Sequence, residues 1–254
     1  MDFNALHHQP QPLLVANVWD ASSALAAEQA GYRALGTSSA AIAAMLGYDD
    51  GEGMCFDELL FIVTRIRAVT DLPLSVDLEA GYSDTTDGIA NHIHRLAASG
   101  VVGINLEDSH VVNGVRQLDD AREFADRLQL LRQMCSGIFL NVRTDTFLLN
   151  TQDALRETLS RGRRYAASGA DGFFVPCMSR SEDIATIARE IALPLNVMCI
   201  PELADFATLA ELGVRRISMG NFVHSAIQSK LIDLMHAIRS RQTFEGLFGD
   251  ENNR

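Results

Sequence analysis

The stretch SGVVGINLEDSH, residues 99–110, compresses a whole structural unit into a dozen residues. Gly100 closes a preceding helical segment in a left-handed cap, and a short apolar run then suits a buried strand over 103–106. The run ends in polar residues: Asn105, Glu107, Asp108 and His110. Working outward, the same punctuation recurs in AGYRAL, residues 30–35, and SGADGF, residues 168–173. Strand-length apolar runs fall at 13–18, 34–37, 74–78, 103–106, 138–142, 172–175, 195–198 and 216–219, each followed by a segment with helical spacing of apolar residues. Eight strand-helix units with short connections predict an α/β fold of the closed (β/α)8 barrel type. No GxGxxG follows the first strand, which argues against a dinucleotide-binding open sheet.

At 254 residues the chain fits one barrel domain over 1–254, with residues 222–254 as a C-terminal helical extension longer than one barrel helix requires. The formal charge of −12 argues against a nucleic-acid surface. No apolar segment reaches bilayer-spanning length, the N-terminus lacks the pattern of a signal peptide, and Cys55, Cys135, Cys177 and Cys199 lack metal-ligand spacing. The expectation is a cytoplasmic protein with no membrane or nucleic-acid partner.

In a barrel, chemistry belongs at the C-terminal ends of the strands. Those ends read NVWD (Asn17, Trp19, Asp20), GTSSA (Thr37, Ser38, Ser39), DLEAGY (Asp77, Glu79), NLEDSH and NVRTD (Asn141, Arg143, Asp145). Asp20, Asp84 and Ser181 read as helix N-caps, Ser38 and Ser39 as caps of a short helix whose amides could also hold an anion, and Asp108 and Asp145 as solvated loop acids. Cys177 and Cys199 read as core, and His92, His94 and His236 as helix surface. Asp77 and Glu79, two apart at a strand end, are expected on one face at nearly one height. With Glu107 they form an acid set lacking a neighbouring Lys, and an all-oxygen set suits Mg²⁺ or Mn²⁺ rather than Zn²⁺. Arg143 beside such a metal suggests a small anionic carboxylic-acid substrate and an enolate intermediate.

The ordered motifs NVWDASSALAAEQAGY, GTSSAAIAAMLGYDD, VDLEAGY, INLED and NVRTD, with GADGFFVP and RRISMGN more loosely, make the chain resemble the isocitrate lyase and phosphoenolpyruvate mutase superfamily, in the manner of a carboxyphosphonoenolpyruvate phosphonomutase-like member. The resemblance implies that Asp77 ligates Mg²⁺ directly, and that Asp50, Glu79 and Glu107 hold it through waters. It implies that Ser38, Ser39 and Ala40 grip the substrate's anionic end and that Arg143 contacts the substrate. It also implies a homotetramer in which a terminal helix is exchanged between subunits. The loop EDSHVVNGVRQLDD, residues 107–120, departs from the family by lacking both Cys and Lys. Asn113 falls near the position of a loop Lys and is assigned to substrate binding; His110 joins Arg143 and Asp50 as a residue to carry the chemistry. The expected function is a Mg²⁺-dependent lyase or decarboxylase cleaving a C–C bond next to the oxo or hydroxy group of a small oxaloacetate-like or methylisocitrate-like acid. The alternative is a C–P enzyme of the phosphonopyruvate hydrolase or phosphoenolpyruvate mutase type. A barrel that binds a metabolite without turnover is a third possibility.

Overall fold

The computed structural model describes residues 2–248; Met1 and residues 249–254, the end of the expected C-terminal extension, lie outside the described residues. The strands are β1 Leu13–Leu14, β2 Ala16–Val18, β3 Leu35–Thr37, β4 Leu74–Asp77, β5 Gly103–Glu107, β6 Ser109–Val112, β7 Val115–Leu118, β8 Phe139–Arg143, β9 Gly172–Phe174, β10 Leu195–Met198 and β11 Val214–Ser218. The helices are α1 Phe3–Leu6, α2 Ala21–Gln29, α3 Ser39–Leu46, α4 Phe56–Arg67, α5 Thr86–Ala98, α6 Ala121–Met134, α7 Ala154–Ala167, α8 Ser181–Glu190, α9 Phe206–Glu211 and α10 Phe222–Arg241.

Nine of the strands form one parallel sheet in the order β1-β11-β10-β9-β8-β5-β4-β3-β2. Its two ends are halves of one strand position interrupted at Val15. β1 pairs with β11 and β2 with β3, while Val15 donates its N–H to Ile217 O and Ala16 to Ala34 O. The sheet therefore closes into a barrel of eight strand positions, as expected. Gly31, Gly100 and Gly169 hold φ of +84°, +83° and +98° where helices turn into strands, a region that L side chains enter at a cost.

The core lies between sheet and helices, where Leu59, Ile66, Ile89, Ile93, Leu128 and Tyr165 are fully buried against strand residues such as Leu74, Ile104 and Leu140. The hydrophobic effect on these outward strand side chains fixes the helices on the barrel, leaving strand ends free for polar residues. At the N-terminal end α1 plugs the barrel: His7 stacks on Phe139 with ring centroids 4.2 Å apart, and Phe3 meets both rings edge-on.

Some local expectations are corrected. Asp20 does cap α2, but Thr85 rather than Asp84 caps α5, and Arg180 precedes α8 with Ser181 inside its first turn. Cys199 is exposed and Cys177 half-buried at φ +61°, so neither is core. His92 is half-buried rather than surface, stacked on Phe56 at 3.8 Å. No helix among the described residues is long and apolar enough to cross a membrane.

Candidate active site

Because every barrel strand runs the same way, the polar strand ends gather at one mouth, around a cavity of about 200 Å³. Ser38, Ser39, Ala40, Asp50, Asp77 and Arg143 line it together. So do Asn17, Asn105, Met198 and Ser218, which the residue assignments above omit although Asn17 and Asn105 stand at the strand ends already singled out. A second cavity of about 420 Å³ adjoins the mouth beside Glu52, Glu79, Glu107, His110, Arg116 and Asp119. A larger cavity of about 580 Å³ lies at the opposite end by Gln9 and Pro12 and is lined by no carboxylate, so the chemistry points to the mouth.

Asp77 ends β4. Its Oδ2 accepts from Ser39 Oγ at 2.7 Å and Ser39 N at 3.3 Å, its Oδ1 accepts from Asn105 Nδ2 at 3.5 Å, and its own N–H donates to Thr37 Oγ1. Ser38 caps α3 by accepting from Ala41 N, which aims the first amides of that helix into the cavity's wall.

The strand rule does not place Glu79. β4 stops at Asp77 and Glu79 takes a left-handed φ of +50°, so the two are not same-face neighbours on one strand. The carboxylates instead come together through a turn. Glu79 is 3% exposed, accepts from Tyr82 Oη at 2.6 Å and from Glu52 N at 2.9 Å, and is pushed up to about 7 by burial, with Asp77, Asp50 and Glu52 adding repulsion. Glu52 in return accepts from Tyr82 N at 2.7 Å, which ties the loop carrying Asp50 to the turn after β4. Asp50 itself is half exposed, and partial burial and Asp77 raise its carboxyl.

Glu107 ends β5 opposite Arg143 of β8 and is 2% exposed. It pairs with Arg143 Nη1 at 2.8 Å and with Arg116, while burial still drives its carboxyl up against these two cations. Arg143 also forks onto Asp145 through Nε at 2.6 Å and Nη2 at 3.0 Å. Asp145 and Asp108 are both fully buried, which corrects their reading as solvated loop acids. Asp108 accepts from Arg161 Nη1, Tyr165 Oη, Thr144 Oγ1 and Asp145 N.

The stretch after β5, read above as a loop, is an antiparallel hairpin of β6 and β7. Its turn is Asn113-Gly114 with φ of +52° and +77°, the two-residue turn whose twist suits a hairpin. That Asn-Gly between valines was the signal available in the sequence. Asn113 is exposed at the hairpin tip and lines neither mouth cavity, so the structure does not bring it to the other assigned residues. The hairpin instead sends Arg116 back to the mouth: Nη1 pairs with Glu107 and lies 3.0 Å from Ser109 Oγ, and Nη2 is 3.7 Å from Asp50. His110 is exposed at the hairpin's start, 2.5 Å from Asp119 Oδ1.

The donor set suits a hard divalent cation, since the carboxyls of Asp50, Glu79 and Glu107 are all raised, chiefly by burial and further by one another or by neighbouring acids, and a bound cation favours their charged forms. Among the described residues no group of three or more His, Cys, Asp or Glu side chains lies together as a metal site. Mg²⁺, which keeps several waters and needs few direct protein ligands, fits such an open arrangement.

A sequence profile of the phosphoenolpyruvate phosphomutase family matches residues 3–239. The chain belongs to this family. It is an enzyme of the isocitrate lyase and phosphoenolpyruvate mutase superfamily. An uncharacterized protein of Mycobacterium tuberculosis is 35% identical over 226 residues, covering 89% of this chain and 84% of that protein. An oxaloacetate decarboxylase of Paraburkholderia xenovorans is 30% identical over 235 residues, covering 89% and 77%. A Burkholderia cenocepacia crystal structure assigned as a phosphonomutase superposes with a TM-score of 0.87 at 40% identity, covering 92% of this chain and 97% of that one.

Proposed function

We propose that this member is a Mg²⁺-dependent carbon-carbon lyase or decarboxylase acting on a small 2-oxo or 2-hydroxy carboxylic acid, oxaloacetate-like or methylisocitrate-like. The observation that carries the reading is the pairing at the mouth: Arg143, anchored on Asp145, faces the same 200 Å³ cavity as Asp77 and the start of α3. A cavity of that size suits a compact anion rather than a nucleotide. Asp77 is assigned as the direct metal ligand and Asp50, Glu79 and Glu107 as ligands through water. When bound, Mg²⁺ supplies Lewis-acid stabilisation of an enolate oxygen. Ser38, Ser39 and Ala40 hold the substrate carboxylate, and Arg143 balances its charge during bond breaking. The hairpin brings Arg116 against Glu107 and Asp50 at the edge of the site. The hairpin carries neither Cys nor Lys, and the chain's single lysine, Lys230, lies in α10, so a dedicated lysine acid at the mouth is absent among the described residues. Decarboxylation, in which solvent can protonate the enolate, agrees with that better than an aldol-type cleavage does. His110, backed by Asp119, is assigned as the residue beside that step.

The test is pyruvate release, with and without Mg²⁺, from oxaloacetate, methylisocitrate, dimethylmalate and phosphonopyruvate. Metal-dependent release from a C–C substrate supports the reading; release from phosphonopyruvate alone replaces it with C–P chemistry, and silence across the panel refutes it.

Assembly belongs to the same reading. Around His224, itself buried edge-on against Trp19, α10 exposes Val223, Ile227, Leu231, Ile232 and Met235 and flanks a cavity of about 530 Å³ lined with Trp19, Ala26 and Ile227. A helix exchanged with a second copy would cover this face, giving a dimer that pairs into a tetramer. Sedimentation of the wild type and of Ile232→Glu reads this directly: a monomeric wild type refutes it. The four unpaired cysteines agree with a reducing, cytoplasmic setting.

A further inference from the structure

Beneath the mouth, the barrel interior holds a charge that the site as described does not use. Arg216 of β11 is 1% exposed. Its Nη2 lies 3.4 Å from Asn105 Oδ1 and 3.5 Å from Ser75 Oγ, and its Nε and Nη1 have no hydrogen-bond partner among the described residues. Burial lowers its pKa to about 10, against an opposing pull from Asp77, so it remains a cation at neutral pH. Among the described residues no carboxylate contacts that guanidinium from below. The group on that side is His7, whose Nδ1 donates to Phe3 O at 2.9 Å and which burial and Arg216 hold neutral at a pKa of about 3. A buried guanidinium without a carboxylate in contact lowers stability, and folds retain such groups where function uses them.

Its use is visible one hydrogen bond higher. Arg216 and Asn141 Nδ2 both aim donors at Asn105 Oδ1, the latter at 2.9 Å. Two donors converging on one amide oxygen fix which way the amide faces, and the Asn105 amino group then points up at Asp77 Oδ1 and the cavity. Asn141 continues the polar layer to Asn196, and Asn196 to Ser218 at 3.1 Å, which also lines the cavity. The floor of the cavity is thus a layer of oriented amides and hydroxyls resting on a single buried cation.

We propose that Arg216 is a positioning residue whose charge, paired with no carboxylate in contact, set under the cavity floor and relayed through Asn105, favours the anionic substrate and the enolate formed from it. The inference rests on the function proposed above. A preorganised charge in a low-dielectric interior acts on charge developing in the cavity without screening by salt. The same charge repels a divalent cation, so its removal has opposite signs for the two ligands.

The full-length protein tests this with oxalate, a planar dianion shaped like the enolate of pyruvate. Oxalate affinity is measured by calorimetry at saturating Mg²⁺, Mg²⁺ affinity is measured alone, and Tm is measured with neither present. Arg216→Met and Arg216→Gln should bind oxalate about tenfold more weakly. Both should bind Mg²⁺ as tightly as wild type or tighter, and Arg216→Met should melt about 2–4 °C higher once the buried charge is gone. Arg216→Lys, which keeps the charge, should stay within about threefold of wild type for oxalate. Gln can hydrogen-bond Asn105 without a charge, so the Lys and Gln variants carry the comparison even if Arg216→Met fails to fold. Wild-type oxalate affinity in Arg216→Gln overturns the proposal. So does a parallel loss of Mg²⁺ and oxalate affinity, which a merely distorted floor would give. A wild-type protein that does not bind oxalate overturns the functional reading, and this inference with it; equal binding by wild type and Arg216→Gln overturns this inference alone.

Discussion

Glu79 makes the metal assignment readable through protons. It is 3% exposed, accepts hydrogen bonds only from Tyr82 and Glu52 among the described residues, and titrates at about 7 against 4.5 for a free glutamate. A carboxyl raised on folding keeps a proton that the unfolded chain has released. Its stabilising effect on the metal-free protein is therefore complete below 4.5 and is lost as pH rises through 7. At about 1.4 kcal/mol per pH unit the full loss is about 3 kcal/mol. In a chain of this length that corresponds to a Tm lower by about 6–12 °C at pH 8 than at pH 4.5 from this group. Mg²⁺ reverses the sign, because the cation replaces the proton. Below pH 7 each further unit of acidity should weaken Mg²⁺ binding about tenfold through Glu79, and above it the contribution of this group should level off. Glu107, raised in the same direction, steepens the trend. The assay is thermal unfolding from pH 5.5 to 8.5 with and without millimolar MgCl₂. The Mg²⁺-induced rise in Tm should be small at the acid end, grow with pH, and shrink in Glu79→Gln, whose metal-free Tm should also lose much of its pH dependence. A Mg²⁺ shift equal at pH 5.5 and 8.5, or a Glu79→Gln variant with the wild-type pH profile, would refute the reasoning.

Three further outcomes follow from the same geometry. Asp77→Ala should weaken Mg²⁺ binding at least tenfold by calorimetry, and unchanged affinity would remove Asp77 from the metal site. Arg161→Met strips the one cation paired with the buried Asp108 carboxylate among the described residues and should cost about 3–5 kcal/mol in chemical denaturation, part of which the Asp108→Asn, Arg161→Met double variant should restore. Gly114→Val forces a β-branched residue to φ +77° and should loosen the hairpin, raising amide exchange across residues 109–118 and raising KM more than it lowers kcat; unaltered exchange would mean that the hairpin does not depend on its turn.

The barrel and the position of its mouth were legible in the chain because the signals are local. Each strand is an apolar run, each helix a spacing, and Gly31, Gly100 and Gly169 mark the joins; parallel closure then puts every polar strand end on one side. Ser38, Asp77 and Arg143 could be assigned to the mouth for that reason. Even the hairpin had its sign in Asn113-Gly114, obscured by expecting the family's loop there. What no local pattern contains is which charges meet. Asp108 is buried because Arg161 and Tyr165 arrive from α7, and Glu107 is held by an arginine returning from the far arm of a hairpin. Glu79 left its predicted face because the strand ended at Asp77 and the backbone turned left-handed two residues later, and Arg216 lies under the floor because β11 points it inward. Secondary structure follows from spacing along the chain. The protonation and partners of a buried charge follow from desolvation and from distances between segments, and those exist only once the barrel has closed.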